Sequence, residues 1–232
     1  EVLSHRPRFA IDESRRQQSL MCGIAGIYSP VPLGDPARIP NLISSVTAAL
    51  DHRGPDDHAH WADPNCGIAF GHTRLSIIDL SPAGKQPMQS HCGRYVIVYN
   101  GEIYNFAHLR RKLESSGCVF RGHSDTEVLL EAIACWGLEE SLTAVDGMFA
   151  LAVWDRAERR LLLARDRIGE KPLYYGWHER QFMFASELKA FACVPGFKPA
   201  LDRNALALYL RYNYIPEPHC VFGGFRKLTP GT

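Results

Sequence analysis

Residues 21–29 read Met21-Cys22-Gly23-Ile24-Ala25-Gly26-Ile27-Tyr28-Ser29, and the rest of the fold can be read outward from them. Gly23 to Ser29 carries no charge and ends at Pro30 and Pro32, so it reads as a buried strand. A cysteine stands directly before that strand. Most cysteines are small buried hydrophobes. This one has Gly23 and Gly26 beside it, which keep side chains away, and an initiator-like Met21 before it.

Upstream, Glu1 to Leu20 is charged, short of aromatic residues and aperiodic, and it lacks the apolar run of a secretory signal. Residues 1–21 therefore read as a leader or non-native extension outside the mature fold. Downstream, Ile39, Leu42, Ile43, Val46 and Leu50 recur at helical spacing. A polar turn, His52 to Asp57, breaks at Gly54-Pro55. Short strands are expected around Gly67 to Phe70 and Leu75 to Leu80, then a loop holding Gly84, Lys85 and Pro87.

Tyr95 to Tyr99 is a β-branched and aromatic strand running into Asn100-Gly101, a reverse-turn signal. A helix carrying Leu109 and Leu113 should start near Asn105 and stop at Gly117. Ser124-Asp125-Thr126-Glu127 has capping-box spacing and opens a helix that buries Val128, Leu129, Ala132 and Ile133 and ends at Gly137. Four strands follow, at Phe149–Trp154, Leu161–Ala164, Leu173–Trp177 and Phe182–Ala185, and then a helix from Arg203 to Tyr212. Strands, two helices and more strands give an α+β fold with packed layers, not a βαβ parallel sheet.

Composition narrows the function. Of 232 residues, 46% are hydrophobic and 22% charged, as in a globular protein with a full core. A net charge of +1 offers no bulk attraction to nucleic acid or an anionic membrane, and no apolar run is long enough to span a bilayer. Seven cysteines lie scattered, with no CxxC pair and none near a His at zinc-finger spacing. That reads against a metal site and a structural disulfide framework, and for a reducing cytoplasm. No phosphate-binding loop of Walker type is present.

With everything before it removed, Cys22 would gain a free α-amine. Such a group has a pKa of about 7.7–8.0, so at neutral pH part of it is unprotonated and can take the thiol's proton. No partner His is then needed, and His52 and His72 read as structural.

Met21-Cys22-Gly23-Ile24-Ala25-Gly26, His52-Arg53-Gly54-Pro55-Asp56, Arg74-Leu75-Ser76-Ile77-Ile78-Asp79, Asn100-Gly101-Glu102-Ile103-Tyr104-Asn105 and Ser124-Asp125-Thr126-Glu127 together resemble class II glutamine amidotransferases. These are N-terminal-nucleophile hydrolases, and the glutaminase domain of asparagine synthetases is the nearest match. The resemblance implies a four-layer α/β/β/α sandwich with two mainly antiparallel sheets, a glutaminase domain over residues 22–225, and a connector from 226 to 232. It makes Cys22 the nucleophile, and Asn100 (side-chain amide) with Gly101 (backbone N–H) the oxyanion hole. It gives Arg74 the α-carboxylate of L-glutamine and Asp125 the α-ammonium. Leu75, Ser76, Ile77, Ile78 and Glu102 complete the pocket. Singly, Arg74 reads as a salt-bridging arginine, Asn100-Gly101 as a hairpin turn and Asp125 as a helix-start charge.

By the same resemblance this domain needs no cofactor. ATP and Mg²⁺ belong to a synthetase domain, on the same or another chain, that activates aspartate to capture the ammonia; a homodimer is allowed. Two alternatives stay open: another ammonia acceptor, or a non-catalytic glutamine-binding module with Cys22 blocked by the leader.

Overall fold

The computed structural model describes residues 21–30, 38–75 and 82–232. Residues 1–20 of the expected leader (1–21) and all but the first residue of the strand expected at Leu75–Leu80 lie outside them. The chain forms β1 (Gly23–Tyr28), α1 (Arg38–Ala48), β2 (Asp57–Asp63), β3 (Ile68–Arg74), β4 (Met88–Gln89) and β5 (Tyr95–Ile103). Then come α2 (Phe106–Ser115), α3 (Asp125–Trp136), α4 (Leu138–Ala144), β6 (Gly147–Asp155) and β7 (Arg160–Arg165). β8 (Tyr174–His178), β9 (Gln181–Ala185), α5 (Arg203–Tyr212) and β10 (Phe225–Lys227) complete it.

Two sheets result, ordered β10-β8-β9-β1-β3-β2 and β4-β5-β6-β7, and every pairing within them is antiparallel. Side chains alternate across each strand, and that parity builds three cores. Ile24, Ile68 and Phe70 of the first sheet meet Val96, Val98, Ala150, Ala152 and Trp154 of the second, between the sheets. Ala25, Ile27 and Ala69, on the opposite parity, pack outward on Ile39, Ile43 and Val46 of α1. Ile97, Tyr99, Leu151 and Val153 pack outward on Leu109 and Leu113 of α2 and Val128, Leu129 and Ile133 of α3. Helix, sheet, sheet and helix stack in the expected four layers.

Several expectations change. Asn100-Gly101 is not a turn: β5 runs through it, with Asn100 opposite Ala150 and Gly101 opposite Phe149. The local turn preference yields to a nine-residue partner strand, β6. Glycine is needed at 101 for close approach, since a Cβ there would strike the Met148 carbonyl oxygen and Phe149. The capping box is half formed. Ser124 Oγ accepts from the Glu127 N–H at 3.2 Å, but the Glu127 carboxylate takes the N–H groups of Arg121 (2.7 Å) and Gly122 (2.8 Å) instead.

Four elements go beyond the sequence reading, one being the two-residue β4 after the loop at residues 84–87. β2 is an edge strand of sequence DHAHWAD, too polar to show a hydrophobic period. α4 is a seven-residue helix starting right after Gly137. β10 closes the first sheet, and beyond it Leu228 N–H bonds the Leu173 carbonyl while Arg165 N–H bonds that of Thr232. Residues 226–232, read as a connector, thus lie along this domain.

Candidate active site

Strand parity also builds the site. Cys22 shares the parity of Ile24 on β1, His72 and Arg74 that of Ile68 and Phe70 on β3, and Asn100 that of Val96 and Val98 on β5. All four therefore point between the sheets, at the end where the apolar packing stops. They border a cavity of ≈270 Å³, the scale of a small metabolite, together with Leu75, Gly101, Glu102, Asp125 and Lys171. Every described residue proposed from sequence for the site lines this one cavity. Ser76, Ile77 and Ile78 lie outside the described residues.

β1 and β3 pair with Gly23 opposite Thr73, which sets Cys22 beside the end of β3. Leu75 N–H donates to Cys22 Sγ at 3.4 Å, and the thiol reaches the Leu75 carbonyl at 3.6 Å. Burial raises the Cys22 thiol above its usual value, against the opposing pull of the Leu75 N–H and the Arg74 and Arg53 charges. The resting group is therefore a thiol, and attack requires that something remove its proton.

The His52–Asp56 segment sets up the nucleophile from behind. Gly54 packs so close to β3 that a Cβ would come within 2.5 Å of the Thr73 and Arg74 backbones. Asp56 N–H bonds the Arg74 carbonyl at 3.0 Å. This holds Arg53, whose Nε donates to the Cys22 carbonyl (3.2 Å) and whose Nη1 pairs with Glu187 (2.8 Å). The Arg53 carbonyl accepts the Met21 N–H at 3.0 Å. Arg53 is 5% exposed, yet its sequence motif had been read without a role for it.

On the opposite wall, β5 offers two donors. Asn100 is 2% exposed, and its Nδ2 is buried with no hydrogen-bond partner among the described residues. An unmet amide donor in a core costs roughly 1–3 kcal/mol, so its persistence at a cavity points to a ligand acceptor. Tyr99 N–H bonds Gln86 Oε1 (2.6 Å) and Ile103 N–H bonds Asp125 Oδ2 (3.0 Å), both away from β6. By ladder alternation the Gly101 N–H, between them, faces the same way, towards the cavity.

Asp125 opens α3 and is 5% exposed. Its Oδ2 also accepts from the Tyr99 hydroxyl (3.0 Å), and its Oδ1 from the Thr126 N–H (2.9 Å). Burial raises its pKa above the usual 3.8, although these bonds favour the charged form. Gln86 braces the corner by joining β5 to Thr126 Oγ1 at 3.4 Å.

His72 was read as structural. It lines the cavity fully buried, bonds the Tyr99 backbone, and leaves Nε2 unpartnered among the described residues. Burial lowers its pKa to about 4, so it is neutral. His52 lies away from the cavity, half exposed, against Glu187 and Lys189. Lys171 is buried, its Nζ 3.2 Å from Met21 Sδ. Among the described residues no three His, Cys, Asp or Glu side chains are grouped to hold a metal ion, and no helix is long and apolar enough to cross a membrane.

A family model of the glutamine amidotransferase domain matches residues 21–232. Glutamine-hydrolysing asparagine synthetase 1 of Bacillus subtilis (strain 168) is 38% identical over 212 residues, covering 91% of this chain and 33% of that protein. Amidase chry2 of Gibberella zeae is 36% identical over 218 residues, covering 91% of this chain and 32% of that protein. The chain thus spans about a third of the length of the curated relatives it matches. In structure it is similar to the glutamine phosphoribosylpyrophosphate amidotransferase of B. subtilis, solved with ADP and GMP. The TM-score is 0.61 at 24% identity, over 74% of this chain and 43% of that one, a likeness of fold. The chain belongs to the glutamine amidotransferase domain family.

Proposed function

We propose that this domain hydrolyses the side-chain amide of L-glutamine to glutamate and ammonia, with Cys22 as nucleophile. One observation carries the reading: the Cys22 thiol and the orphaned Asn100 Nδ2 border one cavity whose wall also holds a buried, fixed carboxylate, Asp125. Sγ attacks the amide carbon, and the oxygen turns to the Asn100 amide and the Gly101 N–H as it gains charge. One such donor is worth about 2.7–4 kcal/mol in the transition state. Ammonia leaves with a proton, and water then cleaves the γ-glutamyl thioester to regenerate the thiol. Arg74 takes the substrate α-carboxylate and Asp125 its α-ammonium, with Glu102 and residues 75–78 lining the rest.

The base in this reading is the α-amine of Cys22, available once residues 1–21 are removed. With Met21 attached, that nitrogen is an amide and cannot accept a proton. The buried thiol, held above its usual pKa, makes the requirement for a base stringent.

In the longer protein, the reading continues, the ammonia passes to aspartate activated with ATP and Mg²⁺ by a synthetase domain, in a reducing cytoplasm. The similarity to glutamine-hydrolysing asparagine synthetases supports this acceptor. An equal share of the chain matches Amidase chry2, which favours a second reading: the same glutaminase serving another acceptor. Cys22→Ala in the processed protein should abolish glutamine hydrolysis with the fold intact by circular dichroism. Retained hydrolysis would remove Cys22 as nucleophile. Loss of turnover with unchanged glutamine binding would also set aside the non-catalytic module.

A further inference from the structure

All seven cysteines are free thiols, and two of them face each other far from Cys22's cavity. Cys118 follows the left-handed Gly117 (φ 90°) after α2, and Cys135 stands in the last turn of α3. Their Sγ atoms are 3.1 Å apart. A disulfide needs about 2.05 Å, so the pair lies roughly 1 Å short of a covalent bond. Cys135 is exposed and Cys118 half-buried, so a small molecule in solution can reach the pair.

The surroundings hold the two sulfurs together rather than leaving them to chance. Gly117 N–H bonds the Glu114 carbonyl and Cys118 N–H that of Leu113, both at 3.0 Å, which fixes the Cys118 backbone on the end of α2. Arg110 stacks on Phe120 with its guanidinium 4.4 Å from the ring centre, and donates to the Gly122 carbonyl at 2.8 Å. Lys112 of α2 lies 4.8 Å from the Trp136 ring, next to Cys135. The α2–α3 hairpin is therefore pinned on both sides of the thiol pair.

We propose that Cys118 and Cys135 form a reversible dithiol–disulfide site, a modification site that clips the α2–α3 loop to the end of α3 under oxidising conditions. The oxidant is a low-molecular-weight disulfide. The Cys135 thiolate, its proton lost to water, attacks one sulfur of that disulfide, forming a mixed disulfide and releasing one thiolate. The Cys118 thiolate then attacks the Cys135 sulfur, forming the internal bond and releasing the second. Two electrons pass from the protein to the oxidant, and the products are one protein disulfide and two small thiols. The thiolate is the reacting form, and Cys135's pKa, raised to about 11 by burial of its sulfur and by the hydrogen bond its thiol shares with Cys118, makes closure faster at alkaline pH. Glutamine chemistry is not part of this clip; Cys22 belongs to the other site.

The test is to equilibrate the reduced protein with glutathione mixtures of graded disulfide content, trap free thiols by alkylation and map the peptides without reduction. The expected result is joint loss of two alkylatable thiols, a mass lower by two hydrogens and one linked peptide pair containing Cys118 and Cys135. Thermal denaturation should shift upward by several degrees on oxidation. Cys135→Ser, at an exposed position, should fold normally, lose the linked pair and lose the oxidation-dependent shift. Persistence of both thiols at the most oxidising ratio would overturn the proposal. So would single glutathione adducts on Cys118 or Cys135 that never resolve, or a bond from either to Cys92.

Discussion

Arg53 shows how a residue without chemistry of its own can govern the nucleophile. Its guanidinium fixes the carbonyl of Cys22 itself, a contact that remains when Met21 is removed. Arg53→Met should lower kcat on the order of 10²-fold with little change in KM, because a nucleophile displaced by about 1 Å loses that much. Steady-state kinetics on the folded variant checks this, and a change confined to KM would contradict it. His72 makes a second prediction at this scale. Its folded pKa, about 4, lies below the unfolded 6.5, so between these values the unfolded chain binds a proton that the folded one does not. Stability should therefore fall as pH drops from 6.5 to 4, by roughly 3 kcal/mol from this group. Urea unfolding across that window should show the slope, and His72→Gln should flatten it. Cys22, Arg74, Asn100, Gly101 and Asp125, which line one cavity, could be picked from the sequence because five motifs occur in order. Arg53, His72 and Lys171 gained their parts only from strand parity and burial, which no local motif announces.

Among the elements, the loop after β7 is held by one carboxylate. Asp166 accepts N–H groups from Ile168, Gly169 and Glu170 on Oδ1 and from Phe149 and Lys171 on Oδ2. Burial acts to raise its pKa, but these donors outweigh it and hold the group below the usual value. The same carboxylate thus ties the β6 backbone at Phe149, opposite Gly101, to the loop that carries Lys171 into the cavity. Asp166→Asn puts an amide NH₂ against those donors and should destabilise the domain by about 3 kcal/mol, read from chemical denaturation. A loss below 0.5 kcal/mol would show that water replaces the carboxylate. The strongly periodic elements were readable from sequence: β1, α1, α3 and, to the residue, α5. β5 was cut short because Asn-Gly is read locally as a turn, whereas the length of β6 decides it. β2 and β10 depend on neighbours for their strand character and carry no hydrophobic alternation of their own.

At the scale of the molecule, the two sheets bring β1, β3 and β5 together at one end, and the inter-sheet core gives way to the cavity there. The site is thus a by-product of where apolar packing stops. Its order follows from the same parity that built the core. The four-layer stacking was legible only through the family resemblance, since composition and periodicity gave α+β and no further. The central claim is that Cys22 attacks with its own α-amine as base. The most direct measurement is the intact mass of the purified protein together with glutamate formation from glutamine on the same sample. The account predicts that turnover appears in chains whose mass begins at Cys22 and is absent from chains that retain Met21. Full hydrolysis by a chain with Met21 still attached would contradict it.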